Sequence, residues 1–378
     1  MTPDLDAALR YCWHPVCSLA ELAAAAPHPL AVELLGVQLA VADLGTAGAP
    51  SVIAVPDRCP HRSTRLSIGW VEPTGLRCAN HGWCFDASGR CTSIPSLGIP
   101  SLGISSSGNP SSGAPSRGDG PIPERATLAA VEVELAHDLV WVRLASGAPT
   151  RVPDHPAFAA AHDPEPTMKL LTGAPYTWPT SAARRVENFV DIAHFPWVHD
   201  GSLGDRRDPV PPVPQVTREA GELRFEYLPP AMDAADEALF GLSRYRMPIP
   251  LTVDIEFRLA TGATRRLWMT ASPVDAGRCR TFWSVARDDD LDGDDDAHMA
   301  FQELILREDE PVVCNQYPPE LPLDASEVSV RTDRVSIEYR RWLRELALAA
   351  GAPDPARAIG EVLAGASEDT EESEKVDA

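Results

Sequence analysis

Apolar and polar residues alternate through "LAVELLGVQLAVADLG" (30–45) and "SVIAVPD" (51–57), with glycine between the runs. This predicts short antiparallel hairpins. The same alternation returns in "TLAAVEVELAHDLVWVRL" (127–144) and completes a small β-rich unit. After a Pro- and Ala-rich stretch at 148–166 the period lengthens. "ARRVENFVDIAHFPWVH" (183–199) reads as a helix ending near Pro196. Strand patterning then recurs in "LRFEYL", "LTVDIEFRLA", "RRLWMTASPV" and "CRTFWSVARD", the last two joined by a hairpin turn at Asp275-Ala276-Gly277. A helix is expected around 297–310. Another, "SIEYRRWLRELALAAG", places Ile337, Tyr339, Trp342, Leu343 and Leu346 near one face and stops at Gly351.

These elements predict an α+β protein: a small all-β domain, then a domain with an antiparallel sheet covered by helices. The expected boundaries are 1–150 and 151–366. Residues 96–120 dissolve into Ser, Gly and Pro and read as a flexible insertion, and 367–378 as a disordered acidic tail.

The formal charge is −22. Residues 288–296 carry seven acids, and the tail carries six acids and one lysine; without these two segments about −10 remains. Nucleic acid is an unsuitable partner for such a chain, because phosphate binding needs concentrated positive charge. The acids from Asp288 imitate a calcium loop, but Met299 stands where its bidentate glutamate belongs, so a solvated loop is expected. No early apolar run reads as a signal peptide or membrane span, and a cytoplasmic location is expected.

Eight cysteines in such a chain point to metal ligands or free thiols. Cys59-x-His61 and Cys78-x-x-His81 lie sixteen residues apart, and each contributes one thiolate and one imidazole. A zinc ribbon would accept four such ligands, but its knuckles usually supply like pairs. The mixed set suits a Rieske [2Fe–2S] cluster, in which one iron takes two thiolates and the other two histidines. Pro60, Gly69, Gly75 and Gly82 are placed to make the tight turns this needs. Arg58, Arg62, Arg65, Arg77 and Arg90 oppose only Asp57, Glu72 and Asp86 nearby, a positive rim suited to an acidic electron donor.

A second metal site is suggested by "ENFVDIAHFPWVH". Asn188, Asp191 and His194 share a helical face, and a helix end at Pro196 would let His199 return toward the same point. Two histidines then need one carboxylate to complete the facial triad of a mononuclear non-haem iron, Fe(II). His14, His28, His137, His155, His162 and His298 have no metal spacing.

Together, the cluster motif with "NHGW", the later N-x-x-D-x-x-H-x4-H and the downstream "REDEPVVCNQYP" resemble the Rieske non-haem iron oxygenases. The resemblance covers nearly the whole chain and is nearest the branch of purine-alkaloid N-demethylases. It implies a Rieske domain followed by a helix-grip catalytic domain, with Cys59, His61, Cys78 and His81 on the cluster. Asp309 becomes the third iron ligand beside His194 and His199, with Glu308 its neighbour and Asn188 a polar residue near the iron. Asp191 would hold His194 and meet a cluster histidine of a neighbouring subunit, which implies a head-to-tail homotrimer. Cys314 stands where family members commonly have Glu, and Asn80 where the respiratory branch has a disulfide cysteine. The implied activity is monooxygenation of a heterocyclic or aromatic molecule with O2, by hydroxylation or N- or O-demethylation. Electrons would come from a separate NAD(P)H-dependent reductase or ferredoxin. Oxidative cyclisation or desaturation, and a non-catalytic electron carrier with a ligand-binding domain, are the alternatives.

Overall fold

Leu35 and Gly36, both at positive φ (48° and 72°), turn the strand Leu30–Leu34 back onto Val37–Asp43. A right-handed strand pair prefers such turns, because their twist matches its own. His137 and Asp138 do the same between Glu132–Ala136 and Leu139–Arg143. The computed structural model describes residues 4–46, 48–97, 121–219, 221–228 and 241–365. The insertion and the acidic tail lie almost wholly outside the described residues.

The chain divides into two compact units, Trp13–Ser146 and the remainder. The first domain was expected to begin at residue 1. Instead the helix Leu5–Leu9 groups with the second unit, packing against the helix Arg334–Ala349. Among the described residues the first unit is all β apart from the helix Leu19–Ala25 and one 3₁₀ turn. Two three-stranded sheets and one four-stranded sheet make it up, and the last (Trp70–Glu72, Gly75–Arg77, Cys84–Phe85, Cys91–Ser93) carries the second Cys/His loop. Leu66, Leu76 and Phe85 are buried beneath the loops with Cys59 and Cys78.

The second unit is built on an antiparallel sheet of eight strands. Thr264–Asp275 and Arg278–Arg287 form its longest hairpin, closed at Asp275–Arg278 as expected, with the Gly277 N–H donating to Asp275 Oδ1 at 2.9 Å. The strands Lys169–Thr172, Tyr176–Trp178, Val216–Glu219 and Leu242–Ile249 were not anticipated. The helix Ala182–Val190 packs on the strands Thr252–Arg258, Thr264–Asp275 and Arg278–Arg287 and touches the helix Asp295–Val313. In Arg334–Ala349, Tyr339, Trp342, Leu343 and Leu346 are buried as their spacing predicts, while Ile337 is half-buried and Val335 takes its place. The loop acids are paired rather than merely solvated: Asp289 meets Arg265, and Asp295 meets Lys169 and Arg287.

Candidate active site

The two Cys/His loops are near-copies of one another. Cys59 N donates to Thr64 O and Cys78 N to Trp83 O, five residues on in each case (2.8 and 2.9 Å). Ser63 N returns to Cys59 O, and Gly82 N to Cys78 O. The returning residue has positive φ in both loops, 58° at Ser63 and 69° at Gly82. Each loop therefore curls its cysteine inward and its histidine outward. Both thiols are buried, His61 is half-buried and His81 is exposed. The imidazoles meet edge to face at 4.5 Å, and His61 stacks on Trp83 at 4.6 Å. Asn80 Nδ2 donates to Thr64 Oγ1 at 2.9 Å and ties one loop to the other without a disulfide.

Burial pushes the Cys59 thiol up to about 11, so a thiolate here calls for positive charge beside it. His61 Nδ1 is buried with no hydrogen-bond partner among the described residues. A buried lone pair left unsatisfied is costly, and it is what a metal ligand shows when its ion is taken away. Arg77 is not part of the exposed rim: it is buried, donates to Gly82 O and pairs with Glu72. That hydrogen bond holds the Glu72 carboxyl down at about 2. Arg58, Arg62, Arg65 and Arg90 remain exposed.

In the second unit the helix ends earlier than expected, at Val190 rather than at Pro196. Asp191 leaves it in extended conformation (φ −84°, ψ 111°), and its Oδ1 accepts the Ala193 N–H at 2.8 Å. Such local bonds compete with helix continuation. Pro196 then stands in the first turn of a new helix, Phe195–Val198, where it needs no N–H partner. The break supplies the reversal that brings His199 back beside His194. The long helix Asp295–Val313 delivers Glu308 and Asp309 from the other side.

His194 Nε2, His199 Nε2 and Asp309 Oδ1 form a nearly regular triangle with sides of 3.2, 3.4 and 3.1 Å. Bonds of about 2.1 Å put adjacent ligand atoms of an octahedral metal ~3.0 Å apart. Three such atoms are one face of that octahedron. His199 Nδ1 lies 2.8 Å from Glu308 Oε2, which also accepts from Ser202 Oγ at 2.9 Å. Asp191 Oδ2 is 3.5 Å from His194 Nδ1, a close electrostatic contact. Burial opposes charge on His194, yet Asp191 and Asp309 outweigh it and raise its pKa to about 9. Burial likewise penalises the Asp309 carboxylate, but the two histidines and Arg185 hold it well below the usual range.

Residues 12–102 match the Rieske [2Fe-2S] domain and residues 178–349 the vanillate O-demethylase oxygenase C-terminal domain. The chain is 37% identical over 343 residues to methylxanthine N1-demethylase NdmA of Pseudomonas putida, covering 89% of each chain. It is 38% identical over 353 residues to methylxanthine N3-demethylase NdmB of the same organism, covering 90% of each. The solved structure of NdmA with caffeine superposes with a TM-score of 0.82 at 35% identity, over 95% of this chain and 97% of that one. Dicamba monooxygenase, at 20% identity and a TM-score of 0.71, shares the fold. This chain belongs to the Rieske non-haem iron oxygenases.

The oxygenase family uses a Rieske cluster and a mononuclear non-haem iron, and both donor sets fit. The orphaned His61 Nδ1 beside two buried thiols suits the cluster, and the triangle of two imidazoles and a carboxylate suits the iron. Among the described residues, His194, His199 and Asp309 are the one group of three or more side chains close enough to share a single ion.

The triangle opens onto a cavity of about 430 Å³ in the second unit. Phe189, Tyr227, Tyr245, Phe257 and Leu267 line it, and Gln302 adds an amide with no hydrogen bond among the described residues. No described helix is long and apolar enough to cross a membrane. Arg185, one helical turn before Asn188, was not anticipated as part of the site. The signal available was a charged residue on what the pattern marks as the inner face of a helix. None of the eight cysteines is in a disulfide; Cys314 caps the helix that carries Asp309 and is half-buried.

Proposed function

We propose that this oxygenase is the terminal component of a multicomponent system that removes an N- or O-linked methyl group from, or hydroxylates, a heterocyclic small molecule. The relatives named as methylxanthine N-demethylases match almost end to end, and the cavity suits a flat ring. Aromatic walls can stack on a heterocycle, and the free Gln302 amide can pair with a ring carbonyl or nitrogen. The observation that carries the reading is the triangle of His194, His199 and Asp309 at the wall of that cavity.

In this reading Cys59, His61, Cys78 and His81 hold the cluster, and His194, His199 and Asp309 hold the iron. When bound, the iron supplies oxygen activation, which the side chains alone cannot perform. Glu308 keeps the His199 proton on Nδ1, so that Nε2 presents its lone pair. Asp191 faces the outer nitrogen of His194 at 3.5 Å and favours positive charge there. Its side chain is 33% exposed, which leaves it open to a second copy of the chain in a head-to-tail trimer. Electrons come from a separate reductase or ferredoxin, for which the exposed arginines beside His61 are a suitable face.

The test is reconstitution with Fe(II) and a surrogate reductase, then formaldehyde release and oxygen uptake on a panel of N-methylated heterocycles. Substrate-dependent formaldehyde, abolished in Asp309→Ala, supports the reading. A fully loaded, reducible protein that consumes no oxygen with any ring would instead make it an electron carrier with a binding pocket.

A further inference from the structure

Arg185 is an arginine with no exposed side-chain surface. Burying a guanidinium is costly unless it is paired and hydrogen-bonded. Its ring contacts are extensive: it lies over Trp178 at 4.5 Å and Phe189 at 4.2 Å. Its polar contacts are few and specific. Nε donates to the Tyr176 hydroxyl at 2.9 Å, and Nη1 donates to Asn188 Oδ1 and faces Asp309 Oδ2 at 3.4 Å. Nη2 has no partner.

The two oxygens of Asp309 are thereby divided. Oδ1 faces His194 Nε2, His199 Nε2 and the Asn188 amide, whose Nδ2 donates to it at 3.2 Å. Oδ2 faces the guanidinium. Asn188 is bound by the same choice, since Arg185 occupies its oxygen and its NH2 must turn toward the site.

We propose that Arg185 is a positioning residue that restricts Asp309 to one-oxygen ligation of the iron and locks the Asn188 amide beside it. The inference rests on reading Asp309 as an iron ligand. A metal at the triangle would sit against Oδ1, and recruiting Oδ2 as well would mean pulling it from a buried cation. One-oxygen ligation leaves three positions of an octahedron open, where two-oxygen ligation leaves two. The third opening gives room for water or a substrate atom beside dioxygen.

The experiment compares holoenzyme carrying Arg185→Met, Arg185→Lys or Asp309→Ala with the wild type. It measures anaerobic Fe(II) affinity and the EPR spectrum of the ferrous nitric oxide adduct. Arg185→Met is expected to weaken iron binding about 10- to 100-fold, as loss of a ligand's hydrogen-bonding partner does. It should also change the rhombicity of the nitric oxide signal while the cluster signal persists. Lysine should recover part of the affinity but not the spectrum, because a single ammonium cannot bond Tyr176 through one nitrogen while a second nitrogen serves the two oxygens. Unchanged affinity and spectrum in Arg185→Met overturn the proposal. If neither Arg185 variant folds, the crystal structure of the iron-loaded wild type decides: Oδ2 on Arg185 and off the iron supports it, both oxygens on iron overturns it. Asp309→Ala separates the two readings. Iron retained there removes Asp309 from the ligand set, whereas iron lost there with a silent Arg185→Met defeats the positioning role alone.

Discussion

Glu308 Oε2 accepts a hydrogen bond from His199 Nδ1 at 2.8 Å, and the opposite ring nitrogen then points at Asp309 Oδ1, 3.1 Å away. Two consecutive residues of one helix thus act on one imidazole from both sides. Glu308 favours the tautomer that leaves Nε2 unprotonated, and in the proposed reading that nitrogen and Asp309 would share the ion.

Glu308→Ala should therefore weaken Fe(II) binding about 10- to 100-fold without touching a ligand atom. Anaerobic iron titration reads the loss, and an unchanged Rieske EPR signal confirms that the other unit is intact. Full affinity in the variant would mean that His199 needs no help to hold its proton.

Asp191→Asn keeps the shape of the side chain and the Ala193 turn but removes the charge facing His194. Steady-state turnover should fall about 10- to 100-fold while both iron sites stay loaded. Stopped-flow reoxidation of the reduced cluster in the presence of substrate and oxygen is the check. Equal rates in the two proteins would take Asp191 off the electron route.

Gln302→Leu should raise KM several-fold for a ring bearing carbonyl or imine acceptors. A single neutral hydrogen bond contributes about 1 kcal/mol. Iron content should stay at the wild-type level, because Gln302 makes no hydrogen bond to His194, His199 or Asp309. A KM that does not move would place the heterocycle elsewhere in the cavity.

Burial pushes the Cys279 thiol up to about 12. The folded state then holds that proton more tightly than the unfolded chain does. Its contribution to stability is complete below the usual thiol pKa near 9 and is lost as pH rises from there toward 12. Denaturant titrations across this window should show a shallower loss in Cys279→Ala. At pH 8 iodoacetamide should leave Cys279 unmodified in the native protein and alkylate it after unfolding, as peptide mass spectrometry would show.

Much of the site was legible in one dimension because metal chemistry restricts residue type and spacing together. Cys59-x-His61 and Cys78-x-x-His81 name their cofactor class, since two local turns of five residues suffice to present each pair. His194 and His199 were equally legible, although the turn between them was not. The chain bends at Asp191, where a carboxylate captures a backbone N–H, and Pro196 begins a helix rather than ending one. Both residues disfavour a continuous helix, and sequence alone does not say which of them breaks it. Asp309 was reached through resemblance, since a carboxylate on a distant helix carries no local mark.

What the sequence by itself determined is the alternation that makes the hairpins, the helical faces at Tyr339, Trp342 and Leu343, the two Cys/His loops, and the pair His194 and His199. These follow from period and chemistry, which are properties of neighbouring residues. The tertiary structure decided that Arg185 is buried against Asp309, that Glu308 grips His199, and that the acids near 290 are spent on Arg265, Arg287 and Lys169. The pairings of Arg185 with Asp309 and of Glu308 with His199 join residues more than a hundred positions apart, and the strength of the Arg185 contact depends on exclusion of water, which only the packed fold provides.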